Sequence, residues 1–353
     1  MTENKRIAYL DMARGIGMIL VVMGHIEYVN MSLLQFIYAF HMPLFFLISG
    51  ILIWEKQEEK NNYIALWKKK LRSILLPYCF FSVLILLIES ARLLIKGLDE
   101  WENIGQMLLQ TVCLQGISTL WFLPALFMSE LLFIGMRRRG SHGVTLIGVS
   151  VLTVLAVVLN QWEKNLYSVQ TQDMLGNVLH EVLSMLIRNV FCVSFICIGY
   201  YLGKWILPAM QRWWQDVLFA ILSAVAAVLL ISGNGVAEMR YMNLQNPVLY
   251  LLGAVAGAMT VLCLCRLLQR SRLTAIKRLL GFLGLNSLII MVTHMDFRVL
   301  YCSIMLAELL NVWENQLFFI ISILLLVFLL EIPIIWVVNR FFPWLLGKKT
   351  VIS

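Results

Sequence analysis

Long apolar runs, separated by short polar segments, recur along the whole chain. A helix of about 20 apolar residues crosses a hydrocarbon core of ~30 Å, because each residue adds about 1.5 Å to its length. The predicted spans are 7–29, 36–54, 73–95, 119–136, 143–160, 181–201, 216–232, 247–268, 280–301 and 316–338. The pattern therefore predicts an all-α integral membrane protein with about ten transmembrane helices.

The basic residues fall mostly in alternate connecting segments. If residues 1–6 are cytosolic, the cytosolic segments hold 21 of the 28 lysines and arginines. This bias follows the positive-inside rule and predicts that both chain ends are cytosolic. It also accounts for the net charge of +8 without a nucleic-acid partner. The first apolar run lacks a small-residue cleavage site, so we expect it to stay in the membrane.

Composition excludes a soluble protein. Hydrophobic residues make up 61% of the chain and charged residues only 14%, whereas soluble domains carry about 25% charged residues. The seven cysteines lie mostly inside apolar runs and show no metal-ligand spacing, so we expect no metal site. We expect a single transmembrane domain over residues 1–353, with no appended soluble domain.

The first predicted helix carries three ionisable side chains, Asp11, Arg14 and His25. At about 100° per residue, Arg14 and His25 differ by about 20° around the helix, and Asp11 lies about 40° from His25. Ionisable groups inside a span are costly and indicate function. The alternative is an Asp11–Arg14 pair and a His25 that only bonds a neighbouring helix. Glu27 lies about 200° away, so a partner that orients His25 should come from another helix.

Two later segments carry polar groups of the same kind. His41 stands beside Pro43 in the second helix, which indicates either a functional group or a packing kink. A basic run containing Lys69, Lys70 and Arg72 precedes the third helix. Such a run suits phosphate binding, and it equally suits the positive-inside rule alone.

Five blocks, in this order along the chain, carry a family resemblance. They are RIAYLDMARG followed by His25, FHMPLFFLISG, LRSILLP, STLWFLPALF and GLNSLIIMVTH. Together they resemble the acyltransferase-3 family of membrane O-acyltransferases, with wording most similar to the fucose 4-O-acetylase branch. The resemblance implies a ten-helix core in a bacterial plasma membrane. It also implies transfer of an acetyl (acyl) group from cytosolic acetyl-CoA (acyl-CoA) to a hydroxyl of a glycan or lipid-linked sugar.

The same resemblance assigns the donor side. Arg14 and His25 map onto the paired arginine and histidine of the family's first helix, on which activity depends. A neutral imidazole can be poised as a base near physiological pH, so we predict that His25 is the general base. Arg14 would hold a CoA phosphate or the pantetheine arm, and Lys69, Lys70 and Arg72 would hold the nucleotide end.

Three side chains are candidates for the acceptor side. His41, Trp121 and His294 lie in blocks that resemble the family. Trp121 could stack on a sugar ring, or it could belong to the interfacial aromatic belt. The expected partners are acyl-CoA, the acceptor and membrane lipid, and homo-oligomerisation is left open.

A membrane transporter, or an acyl-group carrier that supplies a separate transferase, is the alternative from another class. Transporters also place charged residues inside a helix bundle. They are often built from internal repeats with paired broken helices, and this sequence shows neither feature.

Overall fold

A computed structural model describes residues 7–167, 174–310 and 315–347. Over these ranges the chain is helical and forms no β-strand, which confirms the predicted fold class. The chain ends, which the sequence places in the cytosol, lie outside the described residues. The helices are α1 (Ala8–Gly24), α2 (Met31–Glu55), α3 (Tyr63–Lys70), α4 (Leu76–Lys96), α5 (Trp101–Val112), α6 (Phe122–Arg139), α7 (His142–Tyr167), α8 (Met174–Tyr201), α9 (Leu207–Ala209), α10 (Trp213–Ser232), α11 (Pro247–Arg270), α12 (Thr274–Leu285), α13 (Ser287–Asp296), α14 (Val299–Leu309) and α15 (Gln316–Phe341).

Each of the ten predicted spans corresponds to a helical stretch, but two of them differ from a simple crossing. Among the described residues, eight stretches are long and apolar enough to span a membrane, and a ninth is added if the bent pair α12–α13 counts as one span. The first predicted span is shorter than expected: α1 has 17 residues, or about 26 Å. The ninth is bent by 69° between α12 and α13. The protein is therefore a multi-pass membrane protein, and a count of ten crossings stays a prediction.

The described residues group into two compact units by their contacts. The first unit draws on Met1–Glu55 and Ile198–Trp336, and the second on Lys56–Cys197 and Val337–Ser353. The second unit shows large exposed apolar side chains on α4 and α7, including Val83, Leu87, Ile147 and Val154. Hydrocarbon is as apolar as these side chains, so such faces are expected to meet lipid.

In the first unit, α2 packs against α1, α10 and α11. Ala39 on α2 forms a small buried cluster with Ala227 and Ile231 on α10. Gly257 on α11 lies under the ring of Phe40, where a Cβ would come within 2.6 Å of ring carbons. Small residues at these crossings let the helices approach closely, which is how helices associate in lipid.

The tightest crossing in the first unit joins α1 to α12. A Cβ on Gly15 would lie 2.1 Å from the Leu280 carbonyl oxygen, and a Cβ on Gly284 would lie 1.8 Å from that of Asp11. Two backbones therefore touch with no side chain between them. This contact fixes where α1 stands beside α12 and, beyond the bend, α13.

We expect Gly284→Ala to destabilise the protein, because the added methyl group would collide with backbone that cannot swing away. Overpacking of this kind costs about 1–3 kcal/mol. Thermal unfolding of the purified protein in detergent measures the effect as a lowered Tm. Gly281→Ala on the same helix is the matched control, because nothing lies within 4 Å of its added Cβ. Equal Tm values for the two variants would contradict the close contact.

Candidate active site

His25 terminates α1 and lies half-buried in the first unit. The helix ends at Gly24, and the His25 backbone leaves helical geometry at φ −100° and ψ 0°. Its ring nitrogen Nδ1 is 2.8 Å from the Val21 carbonyl oxygen. Because a carbonyl oxygen only accepts, Nδ1 carries the hydrogen, and the neutral ring has its lone pair on Nε2.

The partner of His25 comes from another helix, as its position on α1 led us to expect. His294 on α13 is fully buried, and its Nε2 lies 3.4 Å from Nδ1 of His25. The two rings meet edge to face, with centroids 5.1 Å apart. His294 Nδ1 is 2.8 Å from the Ile290 carbonyl oxygen, so its lone pair is also on Nε2.

The third candidate histidine, His41 on α2, lies near the end of α1 in the first unit. Its Nδ1 is 2.7 Å from the Ile37 carbonyl oxygen, which gives this ring the same tautomer. Tyr38 connects it to the end of α1: the tyrosine ring lies 5.5 Å from the His41 ring, and its hydroxyl donates to the Gly24 carbonyl at 2.7 Å. The structure therefore brings His25, His41 and His294 into one polar site within the first unit.

A hydroxyl–carboxyl contact fastens the helix that carries His294. Thr293 Oγ1 lies 2.8 Å from both carboxyl oxygens of Glu331 on α15 and 2.8 Å from the Ile289 carbonyl oxygen. Both side chains are buried, where an unmatched polar group would be costly. The contact links α13 to α15 beside the histidine site.

Arg14 lies in the first unit, on the same helix as His25, and contacts Asp11. Its Nη1 is 3.6 Å from Asp11 Oδ1, and the two side chains are 30% and 15% exposed. The intrahelical pair considered as an alternative is thus present. The pair does not bury Arg14 completely, because 30% of its side chain is exposed.

The residues predicted to bind the nucleotide end of CoA are Lys69, Lys70 and Arg72. They belong to the second unit, whereas Arg14 belongs to the first. Lys70 is buried between two acids, with Nζ 2.8 Å from Glu58 Oε2 and 2.8 Å from Glu130 Oε2. Lys69 is 3.1 Å from Glu58 Oε1, and Arg72 is exposed. The charges of Lys69 and Lys70 are therefore balanced locally, and phosphate binding by Lys69, Lys70 and Arg72 stays a prediction.

The ionisation of Glu58 reflects the same ion pairs. Burial by itself would raise the pKa of the Glu58 carboxyl, but the charges and hydrogen bonds of Lys70 and Lys69 outweigh burial and hold that pKa below its ordinary value. A lowered pKa means that the pair stabilises the fold above the unfolded-state pKa. This stabilisation is lost as the pH falls through the lowered, folded-state pKa.

Trp121 is placed in the second unit and is buried, with 6% of its surface exposed. The Arg188 guanidinium lies over its ring at 5.1 Å, and Arg188 Nη2 donates to the Gln115 carbonyl at 3.0 Å. The indole face is thus occupied by a cation in this structure. Sugar stacking by Trp121 stays a prediction.

Sequence reasoning missed several contacts of these sites. Tyr38 gave no signal, because an aromatic residue in an apolar span is ordinary. Glu58 was missed because it lies outside any periodic segment. Glu130 and Glu331 lie inside predicted spans, and only the structure shows that they contact Lys70 and Thr293.

The fold is that of a multi-pass membrane protein, and its first unit holds the half-buried His25 and the buried His41 and His294. Residues 7–339 match the family model described as "Acyltransferase domain". The chain therefore belongs to the acyltransferase-3 family. It is similar to the Nodulation protein NolL of Mesorhizobium japonicum (strain LMG 29417 / CECT 9101 / MAFF 303099), with 24% identity over 257 residues. That alignment covers 69% of this chain and 60% of the relative. No solved structure gave a significant match.

We expect Lys70→Met to destabilise the protein strongly, because it leaves Glu58 and Glu130 buried without their shared cation. Removing one partner of a buried ion pair typically costs about 3–5 kcal/mol. The Tm in detergent reports the loss, and Lys68→Met, an exposed lysine on the same helix, is the control. A Lys70→Met protein that keeps the parent Tm but binds acyl-CoA less tightly would contradict the structural role and favour the phosphate role.

Proposed function

We propose that this protein is an acyl-CoA-dependent O-acyltransferase. It would move an acetyl group to a hydroxyl of a glycan or lipid-linked sugar at a bacterial plasma membrane. One observation carries the proposal most directly: His25 presents a basic Nε2 inside a membrane acyltransferase fold, with two further histidines in the same site. The narrower likeness to fucose 4-O-acetylases belongs to this proposal as well.

The chemistry requires a base at the acceptor hydroxyl. Nε2 of His25 takes the hydroxyl proton as the oxygen attacks the carbonyl carbon of the thioester. The tetrahedral intermediate then collapses, the carbon–sulfur bond breaks, and the CoA sulfur leaves. The proton held by His25 passes to that sulfur, which regenerates the neutral imidazole. No external oxidant or reductant is needed, and the products are an ester and free CoA.

The position of Arg14 favours entry of the acyl-CoA donor from the cytosolic side. Arg14 precedes His25 by 11 residues, or about 16 Å along the helix axis, and the predicted topology puts it nearer the cytosol. A guanidinium there suits a CoA phosphate or the polar groups of the pantetheine arm. The thioester end would then reach towards His25, where the acceptor meets it.

A transporter or acyl-group carrier remains the second candidate, and the bend between α12 and α13 favours it. Transporters bind substrates at discontinuous helices, and this pair is broken by 69°. Such a protein would move a solute without consuming acyl-CoA. Uptake by proteoliposomes in the absence of CoA would support the carrier, whereas ester formation that consumes acetyl-CoA would support the enzyme.

We expect His25→Gln to lose acyl transfer while it keeps acetyl-CoA binding, because the amide cannot accept the proton. A general base contributes about 10²–10⁴-fold, so the loss should be large. Purified parent and variant are incubated with radiolabelled acetyl-CoA and with lipid or glycan extracts, and labelled acceptor is counted. His142→Gln, a histidine of the second unit, is the matched control. Parent-like transfer by His25→Gln, with loss in His41→Gln instead, would show that the base is misplaced.

A further inference from the structure

We propose that His294 is a positioning residue for His25, a role that rests on the proposed acyl transfer. Its Nε2 accepts the Nδ1 hydrogen of His25, which holds the His25 ring in one tautomer and leaves Nε2 of His25 as the basic nitrogen. His294 was first considered for the acceptor side. The geometry points instead to an action through His25.

The positions of the protons carry this assignment. The Ile290 carbonyl accepts from Nδ1 of His294 at 2.8 Å, so Nε2 of His294 has no hydrogen in the neutral ring. That lone pair faces Nδ1 of His25 at 3.4 Å. The hydrogen on His25 Nδ1 therefore lies between two acceptors, the Val21 carbonyl oxygen at 2.8 Å and Nε2 of His294.

This arrangement distinguishes the two imidazoles. The lone pair of His294 points at His25, whereas the lone pair of His25 is on the opposite nitrogen, Nε2. A proton taken from an acceptor hydroxyl would thus arrive at His25. The resulting imidazolium gains a stronger hydrogen bond through Nδ1, because bonds from a charged donor are shorter and stronger than neutral ones. A neutral imidazole here does the orienting work that an acid performs in a Ser-His-Asp triad.

Backbone packing holds His294 at this distance. Gly284 at the end of α12 contacts the backbone of α1 at Asp11, and His294 on α13 contacts His25 at the end of α1. The two contacts therefore lie on either side of the bend between α12 and α13. Thr293 secures the same helix to Glu331 on α15. Such support is what keeps an orienting group within catalytic tolerance.

Two substitutions at His294 separate positioning from packing. His294→Gln places an amide oxygen near the former Nε2 and keeps an acceptor for the His25 Nδ1 hydrogen. His294→Leu keeps a similar volume without any acceptor. For both we measure kcat and KM for acetyl transfer, the Kd for acetyl-CoA and the Tm in detergent. We expect His294→Leu to lower kcat on the order of 100-fold, as when a group that orients a functional histidine is removed.

The other measured quantities distinguish a positioning role of His294 from a packing role. KM, Kd and Tm of His294→Leu should match those of the parent, and His294→Gln should recover most of kcat. An unchanged kcat in His294→Leu would overturn the role. Equal loss in both variants, with intact Kd and Tm, would also overturn it, because the imidazole itself would then carry the proton. A kcat loss that only follows a lowered Tm would assign His294 to packing. A parent protein that transfers no acyl group would instead overturn the proposed function itself.

Discussion

The backbone contact between α1 and α12 sets the geometry on which the histidine site depends. At Gly15 and at Gly284, a backbone carbonyl oxygen of the opposite helix lies so close that the Cβ of any other residue would collide with it. In lipid, helices gain little from apolar burial against one another, so close packing of small residues must supply much of their association. With α12 held at this distance, α13 beyond the bend places His294 beside His25. A small shift at the glycines would therefore alter the distance between the two imidazoles.

Each unit holds a buried charged group that is paired with local partners of opposite charge, as an apolar interior favours. In the second unit, Lys70 is neutralised by Glu58 and Glu130. In the first unit, the buried carboxylate of Asp216 is 2.7 Å from Arg266 and 3.1 Å from Arg270. These are ion pairs, which hold segments together. The histidines differ, because each commits Nδ1 to a carbonyl and keeps a basic nitrogen. That difference separates the candidate site from the surrounding structural polar groups.

Much of the fold follows from the sequence, because runs of about 20 apolar residues have few alternatives to membrane helices. A partner of His25 from another helix was also predicted, because Glu27 lies about 200° from His25 around the predicted first span. The identity of that partner did not, because the contact between α1 and α13 depends on a helix crossing that no local pattern encodes. Lys70 shows the same limit. A lysine in a basic run suggests a phosphate ligand, and only tertiary packing shows the acids on either side of it.

The central claim, that His25 and His294 act as one unit in proton transfer, is tested most directly by a double-mutant cycle on kcat. Residues that act as a unit show strongly non-additive effects. The rates of acetyl transfer are compared for the parent, His25→Gln, His294→Leu and the double variant. If His294 works only through His25, the double variant should be no slower than His25→Gln alone. A double variant slowed by the product of the two single losses would contradict the claim, because the two histidines would then contribute independently.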